Sequence, residues 1–107
     1  MSTLWNFGGI DGSLPQGGVI RGANGTLYGT TYSGGDLAKC NFIGCGVAFQ
    51  LTPGVGGVWT QTILHTFTGG QDGAAPQGAL LRNKAGVLYG TTSSGGTANG
   101  GTVFGMK

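Results

Sequence analysis

Charge is what this sequence has least of: charged residues make up 7% of its 107 positions, where about a quarter is ordinary. There is no glutamate, the only acids are Asp11, Asp36 and Asp72, and His65 is the single histidine. Acid–base chemistry needs titratable groups that can meet, and a glycosidase needs two carboxyl groups flanking one bond. Asp11 and Asp72 form the one candidate pair. Each stands before a glycine at the same place in a repeat, where aspartate ordinarily makes an Asx-type turn. The expectation is no catalytic residue and no enzyme. The five basic residues, Arg21, Lys39, Arg82, Lys84 and Lys107, are dispersed, so no basic stripe follows a phosphate backbone and nucleic acid is not an expected partner.

Metal ligands are equally scarce. Cys40 and Cys45 have four residues between them and no second pair, short of the four ligands a structural zinc takes, and His65 has no cluster beside it. No metal or cofactor is expected. A local Cys40–Cys45 disulfide clamping a long hairpin loop fits better and points to an oxidising compartment, the alternative being free thiols in a cytosolic protein. Closing so short a loop orders it more than it stabilises the whole. No apolar stretch approaches the ~20 residues of a membrane span, so no membrane partner is expected. The opening MSTLWNFGG has neither the basic nor the apolar region of a signal peptide.

Glycine, by contrast, is abundant: 26 positions against an ordinary ~7%. The chain is 38% hydrophobic and its net charge is only +2, which argues for ordered β structure over disorder. Self-similarity then organises the reading. Laid over Asp72–Gly96 at an offset of 61, Asp11–Gly35 is identical at fifteen of 25 positions. Gly46–Phe49 answers Gly101–Phe104, and Leu4…Phe7 answers Leu64…Phe67. Within one copy four short strands are predicted: Gly18–Arg21, Thr26–Thr31 after an Asn24-Gly25 hairpin turn, Val47–Thr52 ended by Pro53, and Val58–Phe67. In the last, Trp59, Gln61, Ile63 and His65 are expected on one face and Thr60, Thr62, Leu64 and Thr66 on the other.

Four antiparallel strands repeated at this period predict an all-β fold of β-propeller blades, two per chain, with units at 1–63 and 64–107. The second copy has no counterpart of Thr52–Ile63, while the opening Thr3–Phe7 matches the end of a fourth strand. Two blades do not close a ring, since propellers have about four to eight. The expected partner is therefore the chain itself, as a cyclic homo-trimer or homo-tetramer. Leu4, Trp5 and Phe7 of one copy would complete the sheet ended by Val103 and Phe104 of the next. An open head-to-tail fibre results if the contact does not close.

The string Asp-Gly-x-x-Pro-x-Gly, then Leu-Tyr-Gly-Thr-Thr, Ser-Gly-Gly and Gly-Thr-Val-Phe, resembles the GloVer tandem repeats of long bacterial proteins. Asp11, Pro15, Leu27–Thr31 and Gly34-Gly35 carry it in the first copy; Asp72, Pro76, Leu88–Thr92, Gly95-Gly96 and Gly101–Phe104 carry it in the second. Val47-Ala48 departs from the pattern's Thr-Val. The resemblance implies repeat architecture, an extracellular or cell-surface setting for the natural parent, and no catalytic residues. The alternative function is glycan binding by a lectin-like propeller module, with Trp5, Tyr28, Trp59 and Tyr89 as the candidate platform. Against it, Tyr28 and Tyr89 share one repeat position and suit packing between blades.

Overall fold

The computed structural model describes residues 3–106; Met1, Ser2 and Lys107, at the ends of the two expected units, lie outside them. The described chain is all-β, with two four-stranded antiparallel sheets and no α-helix. Among the described residues no helix is long and apolar enough to cross a membrane. The first sheet runs in the order β1 (Ile20–Arg21), β2 (Leu27–Thr30), β3 (Val47–Pro53) and β4 (Trp59–Thr66). Asn24 (φ 59°) and Gly25 (φ 76°) turn β1 into β2, the left-handed pair that a type I′ hairpin turn requires. Thr26 N–H closes that turn onto the Ala23 carbonyl at 3.1 Å. Because β4 continues through Thr66, the expected unit boundary at 63/64 falls inside a strand, and the chain crosses to the second sheet after Thr66.

The second sheet is built on β7 (Leu88–Ser94). Its partner β8 (Thr102–Met106) lies along one edge, Leu88 facing Met106 and Thr92 facing Thr102. The other edge is shared by β5 (Ala74–Pro76) and β6 (Leu81–Arg82). This sheet reaches four strands because the strand along that edge is split into β5 and β6, not because it has a counterpart of β4. Pro76 brings no N–H to the ladder, which suits it to an edge strand that breaks. In the gap, Gly78 meets the first unit: a Cβ on Gly17 would stand 2.7 Å from the Gly78 carbonyl oxygen. Only glycine permits that approach.

The core lies on the faces of these sheets. Val47, Phe49 and Leu51 of β3 point to the front of the first sheet, where Leu27, Trp59, Trp5 and Phe7 pack on them. Ala48 points to the back, into a second cluster with Cys45, Phe67 and Ala74 that also takes in Leu64, Phe104 and Met106. Front of sheet two thus packs on back of sheet one.

One expected face assignment is overturned. The ladder pairs Ala48 with His65 but Phe49 with Ile63, so Leu64 is an extra residue on β4. A β-bulge resets the alternation beyond it. His65 therefore leaves the side of Trp59, Gln61 and Ile63 and turns toward the second sheet, its ring 4.7 Å from that of Phe67.

Candidate functional site: two open faces and an unpaired segment

The bulge matters because it aims His65 at Asp72. His65 Nε2 lies 2.8 Å from Asp72 Oδ2. Thr68 donates to the same carboxylate from its N–H at 3.0 Å and from its hydroxyl at 2.6 Å. The first unit repeats this with different residues: Trp5 Nε1 donates to Asp11 Oδ2 at 3.0 Å and Gly8 N–H to Asp11 Oδ1 at 2.8 Å. In both units the aspartate reaches back to the incoming segment. The forward Asx turn expected at these positions forms instead at Asp36, which accepts from Ala38 N–H, and its amide counterpart at Asn83, which accepts from Ala85 N–H. Asp11 and Asp72 are thus committed separately, each to its own unit's entry, and do not converge on one bond.

Burial opposes ionisation of Asp72, but the hydrogen bonds from Thr68 and His65 outweigh it and hold the carboxyl below its ordinary value of 3.8. A lowered carboxyl pKa stabilises the fold fully above the unfolded value and loses that contribution as pH falls through the folded one. Thermal unfolding measured against pH should therefore decline below about pH 4, and Asp72→Asn should flatten that part of the profile.

The next aromatic along the chain is also equivalent in the two units. Phe7 meets Phe49 edge-to-face at 5.1 Å, and Phe67 meets Phe104 edge-to-face at 5.3 Å. The incoming segment Thr3–Phe7 thus packs on the first sheet much as the end of β4 packs on the second. Yet residues 3–8 belong to no strand, and neither their backbone nor the outer edge of β8 has a strand partner among the described residues. Beside β8 this leaves a hollow of about 210 Å³ lined by residues including His65, Phe67, Asp72, Phe104 and Met106. In the first unit the corresponding space is filled from β4, where Trp59 packs on the core and Gln61 Nε2 donates to the Asp11 carbonyl at 3.2 Å.

Faces behave like edges. Ala48, on the back of sheet one, is 0% exposed, whereas its equivalent Val103, on the back of sheet two, is 81% exposed. On the fronts, Leu80 is 3% exposed and its equivalent Val19 is 53% exposed. At the outer faces Val103 and Val19 are thus left bare where their equivalents Ala48 and Leu80 are covered, although the rest of the front of sheet one is closed by Trp5, Phe7 and Trp59.

The remaining candidates fall into separate places. Cys40 and Cys45 are disulfide-bonded, and their loop packs at the internal seam, where Cys45 is buried with Ala48 and Phe67. Of the aromatic platform, Trp5 and Trp59 line one groove with Thr3, Leu4, Asn6, Gly57 and Val58. Tyr28 and Tyr89 lie on different sheets, paired with Ile20 and Leu81 respectively, and the structure does not bring the four rings together. No group of three or more metal-ligating side chains occurs among the described residues. The back-reaching aspartates and the bulge escaped the sequence pattern. The equivalence of Trp5 with His65, each reaching its unit's aspartate, is the signal that could have exposed the first of these.

Two packed antiparallel sheets with the same contacts at the same repeat positions define an all-β tandem-repeat module. The chain matches the Gloeobacter/Verrucomicrobia repeat over residues 1–107 and belongs to that family. No curated protein and no solved structure matches it.

Proposed function

We propose that this chain is a non-catalytic structural module whose function is self-assembly. Its two units are blades of a β-propeller, and copies join head to tail until the ring closes. The observation that carries this reading is a pair of exposures: Val103 is bare where Ala48 is covered, and Val19 is bare where Leu80 is covered. A second copy offers the back of sheet two the part of the first sheet's front around Val19 that stays exposed. A ring of about six or eight blades, within the range of propellers, takes three or four copies. The disulfide supports an extracellular or cell-surface setting.

Register is given by the β3–β4 ladder of the first sheet. There Val47 faces Thr66 and Ala48 faces His65, so Thr102 should face Asn6 of the next copy and Val103 should face its Trp5. Asn6→Cys combined with Thr102→Cys tests this directly. Thr102 stands where the first unit has valine, so the hydroxyl is dispensable to the strand. Mild oxidation should yield a ladder of covalent multimers that reductant collapses, and Asn6→Cys with Val103→Cys should not. Equal cross-linking of both pairs, or of neither, would contradict the register.

A second reading, glycan binding, is favoured by the groove between Trp5 and Trp59, since stacked aromatic rings suit sugar faces. It predicts that Trp59→Ala abolishes retention on a glycan matrix that holds the unmodified chain; unchanged retention would remove this groove as the site.

A further inference from the structure

If copies join head to tail, as proposed for the function, the seam between them need not repeat the seam within the chain residue for residue. The two units differ where those seams form. Between Gly35 and Gly46 the first unit carries ten residues, whereas between Gly96 and Gly101 the second carries four. The equivalence of the loops is fixed by matching bonds, Gly46 N–H to the Gly34 carbonyl and Gly101 N–H to the Gly95 carbonyl, both at 3.0 Å. Cys45 thus corresponds to Gly100.

At the internal seam the long loop meets a small residue. Ala75 N–H donates to the Cys45 carbonyl at 2.8 Å, and Ala75 lines a hollow with Cys40, Asn41, Ile43 and Cys45. The first-unit counterpart of Ala75 is Leu14, and both hold the same left-handed backbone, φ 56° and φ 54°. Leucine at positive φ is uncommon, and this one is 57% exposed. Its carbonyl accepts from Tyr32 N–H at 2.9 Å, but its own N–H finds no acceptor among the described residues. Nearby, Ile10 stands where the second unit has Gln71 and is 78% exposed. At Leu14 a large apolar group and an unused donor occupy the position from which Ala75 of the second unit engages the long loop.

We propose that Leu14 and Ile10 of one copy seat against the short loop 97–100 of a second copy, with Leu14 N–H donating to the Gly100 carbonyl. The larger side chains fill the volume that the six-residue expansion fills inside the chain. The two seams are then complementary by exchange of bulk: long loop against alanine within a chain, short loop against leucine between chains. The occupant is a second copy of this chain, because the contact repeats with equivalent residues the bond that Ala75 N–H makes to the Cys45 carbonyl within one chain.

Leu14→Ala installs the residue the second unit already tolerates at this backbone. Removing a leucine side chain from an interface should raise the dissociation constant about tenfold or more, read by light scattering across a dilution series, with far-ultraviolet circular dichroism and melting of the dissociated chain unchanged. Ile10→Gln, on a side chain almost free of the monomer, should weaken assembly without touching the fold. Amide hydrogen exchange supplies the independent reading: Leu14 N–H should exchange slowly in the assembled protein and fast in dilute monomer. If the native chain assembles but neither substitution shifts the dissociation and Leu14 N–H exchanges fast in the assembly, this seam is wrong while assembly stands. A native chain that is monomeric at every concentration would overturn both.

Discussion

Replacing Phe67 by alanine should destabilise the chain by about 3–5 kcal/mol, the usual cost of emptying a buried aromatic site. Phe67 is 1% exposed and sits where the first sheet hands the chain to the second. It packs with Ala48, Cys45 and Ala74 and meets the rings of His65 and Phe104 edge-to-face. Its N–H also donates to the Gly46 carbonyl at 3.0 Å, so the backbone around the cavity is tied and has little room to collapse. Domains of this size have only about 5–15 kcal/mol in total. Urea unfolding of the variant should show a midpoint far below that of the native chain, with native-like spectra surviving only at low denaturant. A loss under about 1 kcal/mol would mean that the two sheets do not share this core.

The second large effect is on assembly. Val103→Asp should abolish the oligomer and leave the monomer folded. In the isolated chain Val103 faces water, so a carboxylate there is solvated and its effect on folding is small. In the proposed ring the same position is covered as Ala48 is covered, and an unpaired carboxylate buried against apolar side chains costs several kcal/mol. Each 1.4 kcal/mol is about tenfold in affinity, so the dissociation constant should rise by more than about a hundredfold. Sedimentation at concentrations where the native chain is fully assembled reads this directly, and assembly at native strength would mean that the back of sheet two is not an interface.

The duplicated strings made most of the fold legible. Identity between Asp11–Gly35 and Asp72–Gly96 places equivalent strands in both units, and Asn24-Gly25 turns β1 into β2 as the dipeptide predicts. Strict alternation along β4 failed at one residue. Nothing in Ile63-Leu64-His65 announces a bulge, because all three side chains suit a strand, and the extra residue is visible only in the register of β3 against β4. The expected Asx turns do not form at Asp11 and Asp72, whose partners Trp5, Gly8, Thr68 and His65 all lie upstream. The assembly residues separated in the same way. The tie of Leu4–Phe7 to the end of β4 is a sequence match, whereas the exposure of Leu14 and its left-handed backbone arise only in the folded chain.

Whether further copies of the chain cover its bare faces is tested most directly by the solution mass of the purified protein. Light scattering over a range of concentrations, with and without reductant, reads that mass. A closed ring predicts a discrete trimer or tetramer whose mass does not change when the Cys40–Cys45 bond is reduced, because that bond lies within one chain. A monomer at every concentration would contradict it, and a mass that climbs without limit would replace the ring with an open fibre.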